Sequence, residues 1–294
     1  MNVSRVKEMQ AMDRQAIKEF GIRDELLMEN AGLAAFSMIR KEMGIRDRRF
    51  VLFCGTGNNG GDGLVVARKI LSAGGHPVVF LLGDGAGYKG AARINFDILH
   101  RLPIPIQTLS GSTRLKRHLN SCDAVVDAIF GTGLQRDVEG PYREAIHTIN
   151  HCGKPVFALD IPSGIHGDTG QVMGVAVQAR ATATFGLPKL GNLLYPGYRH
   201  CGRLYVSNIS FPPSLTGSDA LKIRLNIPAS LPPRNESGHK GSFGDVLFIA
   251  GAAGYMGAPF FSAYGFLKAG GGYARLAAPS GITPYIAVKG SEIV

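Results

Sequence analysis

A chain of 294 residues, 45% hydrophobic and carrying 40 glycines, is long enough for one full α/β domain and part or all of a second. No run of about 18 apolar residues offers a membrane span, and the polar, mixed-charge stretch over residues 1–14 does not read as a signal peptide. The net charge of +10 comes from scattered Lys and Arg without a basic run, which points to a polyanionic small ligand such as a dinucleotide rather than nucleic acid. Cys54, Cys122, Cys152 and Cys201 lie far apart with no CxxC spacing, and they read as reduced thiols of a cytoplasmic protein.

In chain order, residues 4–20 and 24–44 read as two helices, the first capped by Ser4 and closed by Gly21, the second closed by Gly44. Met9, Met12, Ala16 and Ile17 mark one apolar stripe, and Leu27, Ala31, Ala34, Ala35 and Met38 mark another. Both read as packing surface, and a homodimer through these faces is an expectation. From residue 48 strands and helices alternate. Residues 51–54, 76–82, 124–129, 156–160 and 181–185 read as strands, and 64–73, 88–100 and 142–151 as helices. The pattern predicts an α/β fold, a Rossmann-like parallel sheet with helices on both faces. Ligands of such sheets sit outside the carboxyl ends of the strands. That rule selects the loops 55–63, 83–87, 131–137 and 161–167. A Pro-rich, polar shift begins at residue 211, after which 246–250, 258–269 and 273–278 read as strand, helix and strand. Residues 239–294 are too few for a whole α/β domain of about 100–150 residues.

The first motif is Gly55-Thr56-Gly57-Asn58-Asn59-Gly60-Gly61-Asp62-Gly63, between an apolar strand and a helix. Free N–H groups and the helix dipole favour a phosphate there, and Gly55, Gly57 and Gly60 satisfy GxGxxG. Asn58, Asn59 and Asp62 add amide and carboxylate groups that a plain phosphate turn does not need. Asp127 interrupts an apolar strand before Gly131-Thr132-Gly133. A buried carboxylate needs a partner, either loop amides or a cation shared with oxygen ligands such as Asn59 and Ser163. Asp160, in Leu159-Asp160-Ile161-Pro162-Ser163-Gly164, ends a strand facing the same crevice; it caps the Gly164 turn or acts as a general acid/base. Lys189 reads as an exposed lysine, or alternatively as a contact to a ligand phosphate. His147 and His151, at i, i+4 without an acidic partner, read as surface histidines.

Four motifs in order carry a resemblance: Leu27-Met28-Glu29-Asn30-Ala31-Gly32, the glycine-rich segment 54–63, Val126-Asp127-Ala128-Ile129-Phe130-Gly131-Thr132-Gly133-Leu134, and Asp160-Ile161-Pro162-Ser163-Gly164. Through them residues 1–213 resemble the NAD(P)H-hydrate epimerase family. After a linker at 214–238, residues 239–294 resemble the start of the ADP/ATP-dependent NAD(P)H-hydrate dehydratases, of ribokinase-like fold, through His239-Lys240-Gly241-Ser242-Phe243-Gly244-Asp245-Val246 and Gly254-Tyr255-Met256-Gly257-Ala258. The resemblance implies that Asn58, Asn59, Gly60, Gly61, Asp62, Gly131, Thr132, Gly133, Leu134, Gln135, Arg136, Asp137 and Asp160 bind hydrated NADH or NADPH. It also implies a potassium ion on Asn59, Asp127 and Ser163, and it makes Asp160 the candidate acid/base for epimerisation at nicotinamide C6. Ala258 is expected at the edge of a dehydratase pocket, with ADP or ATP serving only that part, and no dehydration is expected from these residues alone. Two competing readings are a non-catalytic dinucleotide-binding module and an NAD-dependent dehydrogenase using the GxGxxG turn and Asp84. Three carboxylates aimed at one crevice favour catalysis over a bare scaffold.

Overall fold

In the computed structural model, which describes residues 1–109, 112–231 and 233–294, short apolar runs form strands and the amphipathic stretches between them form helices. The chain divides into two units, Met1–Ile227 and Pro228–Val294. The first runs β1 (Asn2–Val3), α1 (Val6–Lys18), α2 (Asp24–Met43), β2 (Arg49–Gly55), α3 (Asn58–Ser72), β3 (His76–Leu82) and α4 (Gly90–Leu99). It continues β4 (Ile106–Thr108), α5 (Ser112–Ser121), β5 (Ala124–Ala128), α6 (Gly140–Asn150), β6 (Val156–Leu159) and β7 (Ala181–Phe185). It ends α7 (Leu190–Leu193), α8 (Gly197–Cys201), β8 (Arg203–Ser207), α9 (Pro213–Thr216) and β9 (Ile223–Arg224).

A 7-stranded sheet of order β4-β3-β2-β5-β6-β7-β8 forms the centre, with every neighbouring pair parallel. Side chains alternate across it with the two-residue period of a strand. Phe50, Leu52 and Cys54 of β2 pack in one layer with Leu64 and Val65 of α3 and Ala31 and Ala35 of α2. Val51 and Phe53 pack in the other with Leu119 of α5 and Ile146 and Ile149 of α6. Phe50 and Phe53 are 0% exposed, and burial of each contributes about 2–3 kcal/mol. The chain winds from β2 outward to β4, then crosses back to place β5 beside β2 on its other side. That reversal opens a crevice at the carboxyl ends of β2 and β5, the usual ligand position in open α/β sheets.

Several boundaries differ from the sequence expectation. The helix expected from residue 64 starts at Asn58, with Gly57 as its N-cap and Gly61 N–H donating to Gly57 O at 3.1 Å. Most of the glycine-rich segment is therefore helix, not loop. At Gly60 a Cβ would fall on the Gly55 carbonyl, so the missing side chain lets the helix start against the strand it follows. Ser4 is not the cap of the first helix; Arg5 holds that position. Ser4 is extended and fully buried, and its N–H donates to Pro188 O at 3.0 Å while its O accepts from Leu190 N–H at 3.2 Å. The short strands β4 and β8, at the two edges of the sheet, and helix α5 were not anticipated.

Residues 214–227 belong to the first unit, not to a linker. Leu215 and Leu221 lie in its core, and β9 pairs antiparallel with β1. Of the stripes that suggested a dimer face, Met9, Met12, Ala16, Leu27, Ala31, Ala35 and Met38 are buried in that core, Ala34 is partly buried against it, and Ile17 is exposed. The second unit holds β10 (Asp245–Ile249), α10 (Gly257–Lys268), β11 (Tyr273–Ala277) and α11 (Thr283–Lys289). Its two strands pair in parallel around a small core of Phe260, Ile282 and Ile286. Among the described residues, no helix is long and apolar enough to cross a membrane.

Candidate active site

At the switch point lies a cavity of about 510 Å³, walled by the starts of α2 and α3, the segment after β5, Asp160 after β6, Lys189 after β7, and one face of α1. Its lining includes Asn58, Asn59, Asp62, Gly131, Thr132, Gly133, Leu134 and Asp160, drawn from the start of α3 and the segments after β5 and β6. The first turn of α3 faces it, so the unpaired amides of that turn and the positive end of the helix dipole are available to an anion.

Asp160 follows the last residue of β6 with a φ of 64°, in the left-handed region. Its N–H donates to Ala183 O at 2.7 Å, and Ile161 N–H donates to Leu159 O at 2.8 Å, closing a γ-turn around it. Left-handed backbone outside glycine is uncommon and persists where surrounding contacts hold it. Here the carboxylate forms an ion pair with Lys189, and Oδ2 accepts from Thr132 N–H at 3.3 Å. Lys189 is 1% exposed, which overturns the expectation of an exposed lysine. Its Nζ donates to Thr184 Oγ1 at 2.9 Å and Phe185 O at 3.0 Å and pairs with Asp160 on the wall of the cavity. Asn192 completes the support, accepting from Lys189 N–H at 2.9 Å and donating to Asp160 O at 3.3 Å.

Beneath the wall, Asp127 and Ser163 are both fully buried. Asp127 accepts from Ser163 Oγ at 2.6 Å, Ser163 N–H at 2.8 Å and Ile129 N–H at 3.3 Å. Burial pushes the Asp127 carboxyl up to about 6 against the lowering effect of those bonds. Among the described residues no Lys or Arg pairs with it. Both Asn59 Oδ1 and Nδ2 are buried without a hydrogen-bond partner. A Cβ on Gly131 would sit 3.1 Å from Asp160 Oδ2 and 3.3 Å from Asn59 Cβ, so the absence of a side chain there brings those two residues to one spot. Asp62 is held well above the usual carboxylate range, first by burial and then by the charges of Asp160 and Asp13.

Other expected residues lie elsewhere. Gly60 and Gly61 are buried beneath the cavity, Gly60 against Gly55 and Gly61 against Met28. Gln135, Arg136 and Asp137 are exposed and outside the cavity lining. Ala258 belongs to the second unit, in the first turn of α10. Asp84 accepts from Ala86 N–H at 3.0 Å, capping the turn Gly85–Gly87, and is exposed. Missed from the sequence were the lining residues of the first two helices, among them Met9, Gln10, Asp13 and Asp24. Only the polar members interrupting the apolar stripes could have signalled them. All four cysteines are free thiols.

A doubly wound parallel sheet with carboxylates, a buried lysine and a helix N-terminus converging on its switch point defines a small-molecule site at the usual ligand position of an open α/β sheet. Residues 24–191 match the family described as YjeF-related protein N-terminus, and the chain belongs to it. It is similar to the bifunctional NAD(P)H-hydrate repair enzyme Nnr of Thermofilum pendens, 46% identical over 100% of this chain and 56% of that protein. The same-named enzyme of Moorella thermoacetica is 41% identical over 98% of this chain and 56% of that protein. The chain thus spans little more than half the length of these relatives. The NAD(P)H-hydrate epimerase of Levilactobacillus brevis is 39% identical over 69% of this chain and 92% of that protein. In fold, the solved structure of yeast ynu0 superposes with a TM-score of 0.64 at 20% identity, covering 78% of this chain and 97% of that one.

Proposed function

We propose that the first unit interconverts the R and S forms of hydrated NADH or NADPH at nicotinamide C6. The observation that carries this reading is the Asp160 carboxylate, fixed by Lys189 and Thr132 N–H on the wall of a cavity that the α3 N-terminus also faces. The dinucleotide pyrophosphate would lie against the amides of that first turn, and the hydrated nicotinamide would lie beside Asp160. C6 carries a hydroxyl next to the ring nitrogen. Proton transfer to the hydroxyl lets the C6–O bond break with its electron pair leaving as water, while the nitrogen lone pair stabilises C6. Water returning to the other face loses its proton to a carboxylate and gives the other epimer. Opening and reclosing of the N1–C6 bond is the alternative route. Either needs an acid/base group near C6, and Asp160 supplies it. Such a group typically contributes about 10²–10⁴-fold to the rate.

The potassium ion that the family resemblance implies would be held by Asn59, Asp127 and Ser163. Their chemistry fits an oxygen-ligated cation: the Asn59 carboxamide is buried and unpaired, and Asp127 is a fully buried carboxyl. A bound monovalent cation would supply positive charge to these oxygen groups. The free thiols and the nicotinamide substrate favour a cytoplasmic setting. For the second unit, the proposal is a contribution to an ADP/ATP-dependent dehydratase, as the bifunctional name of its relatives suggests.

The test is R-form NADH hydrate mixed with the protein and K⁺, without ATP or ADP, with S-form appearance followed by chromatography. Equilibration well above the spontaneous rate is expected. Binding of hydrate without acceleration would move the chain to the binding-module reading, and a redox product from intact NADH would move it to the dehydrogenase reading.

A further inference from the structure

The reaction needs a proton given on one side of the exchange and a proton taken on the other. Asp160 is engaged as a carboxylate by Lys189, so it suits the role that takes a proton. A donor must come from elsewhere on the cavity wall. Helix α1, which lies outside the segment matching the family, presents Gln10, Asp13 and Ile17 to the cavity at spacings of three and four residues, along one face. The helix is held firmly in that position. Ser4 is stitched between Pro188 and Leu190, on both sides of Lys189, and Val6 N–H donates to Asp168 Oδ1 at 2.7 Å. Met9, Met12 and Ala16, on the adjoining face, anchor it in the core.

Asp13 therefore stands on the wall that holds Asp62, Asp160 and Lys189. Among the described residues, its carboxyl makes no hydrogen bond and no ion pair. Asp13 is only partly exposed, and an unpartnered carboxyl there carries a desolvation cost that a bound ligand would relieve. Burial is the largest influence on it and raises it to about 6; Asp160 adds to the rise, while Lys189 and Arg14 oppose it. Asp24 of α2 also lines the cavity. Asp62, on the same wall, is raised well above the ordinary carboxylate range, first by burial and then by the charges of Asp160 and Asp13.

We propose that Asp13 is a second catalytic carboxyl, the partner of Asp160 in moving protons at C6 of the hydrated nicotinamide; this rests on the epimerase reading. In one direction Asp13 gives its proton to the C6 hydroxyl. The C6–O bond breaks, its electron pair leaves with water, and the N1 lone pair forms the C6=N1 iminium. Water then bonds to the other face of C6 through an oxygen lone pair, the iminium π pair returns to N1, and the surplus proton goes to the Asp160 carboxylate. The reverse epimerisation starts from protonated Asp160 and ionised Asp13. No oxidant, reductant or co-reactant is consumed, and the proton lost by one carboxyl is gained by the other.

The experiment measures kcat and KM for R-to-S conversion with K⁺ present, using the full chain, its Asp13→Asn variant and its Asp13→Glu variant. For Asp13→Asn, kcat is expected to fall about 10²-fold or more while KM holds and Tm does not fall. Asp13→Glu, which keeps the acid but displaces it, is expected to fall between that variant and the wild type. A rise in KM at unchanged kcat would reduce Asp13 to a binding contact and overturn the proposal. Wild-type kcat in Asp13→Asn would overturn it as well. If Asp13→Asn does not fold, Asp13→Glu decides alone: about tenfold or greater loss of kcat supports the assignment, and wild-type kcat sinks it. A wild-type protein that does not epimerise the hydrate overturns the epimerase reading along with this one, whereas an active wild type with an equally active Asp13→Asn overturns only the role of Asp13.

Discussion

Lys189 Nζ pairs with the Asp160 carboxylate from a position 1% exposed to solvent, so the candidate acid/base group of this site is braced by an ammonium that water does not reach. The pair joins the ends of β6 and β7, and the Thr184 hydroxyl and Phe185 carbonyl take the remaining Nζ donors. Such a pair orients more than it stabilises, because the cost of removing both charges from water offsets much of their attraction. Losing one partner is another matter.

Asp160→Asn should abolish most epimerisation, a loss of about 10²–10⁴-fold in kcat. It also strands the Lys189 charge, which should lower the unfolding free energy by about 3–5 kcal/mol. Adding Lys189→Met to that variant should restore much of the stability in urea melts without restoring activity. A double variant that regains activity would show that Asp160 has no chemical role.

Potassium dependence should centre on the oxygen set beneath the Gly131 segment. Asn59→Ala should raise the K⁺ concentration needed for half-maximal rate, and replacing K⁺ with tetramethylammonium should lower the wild-type rate. Ser163→Ala removes a hydroxyl that donates to buried Asp127 and accepts from Phe130 N–H at 2.9 Å, and should cost about 1–3 kcal/mol in a denaturant melt. Identical rates in the two cations would remove the ion from the account.

Gly60→Ala tests the close approach between the start of α3 and the end of β2. The added methyl meets the Gly55 carbonyl, which is backbone and cannot swing away. Overpacking of this kind costs about 1–3 kcal/mol or more. The variant should melt earlier and bind the hydrate more weakly, because the shift moves Asn58 and Asn59. Unchanged melting and affinity would mean the helix start tolerates displacement.

Asp13 gives a pH signature of defined sign. Its pKa is raised in the folded state to about 6, so between about pH 4 and 6 the folded protein holds a proton that the unfolded chain has released. The group is neutral to stability below that window, and its penalty grows through it and is complete above pH 6. Asp13→Asn removes the penalty. The variant should match the wild type at about pH 4 and exceed it progressively up to about pH 6, by at most about 3 kcal/mol. Paired denaturant melts across that range check it; a constant difference would place the Asp13 carboxyl in water.

What the sequence determined by itself was local or periodic. Apolar runs of four to seven residues separated by helix-length stretches were enough for the parallel sheet, because burial on both faces leaves continuous apolar strands. Asp127 and Asp160 were legible as buried carboxyls needing partners because a carboxylate at the end of an apolar strand must find one, and strand ends in such a sheet converge. The glycine-rich segment was legible as a place of close approach, but not as helix, since helix propensity argues against glycine and only the Gly55 contact explains its presence. Tertiary structure decided the rest. Lys189 carries no sign in its neighbours that it is buried, and the ion pair exists only because β6 and β7 lie side by side. Asp13 sits on a stripe that reads as ordinary packing, and its place on the cavity wall follows from Ser4 bonding to the backbone on both sides of Lys189. Periodicity tells which face of a helix is apolar; which distant carboxylates the polar residues of that face will meet depends on how the elements dock, and that is settled by long-range packing alone.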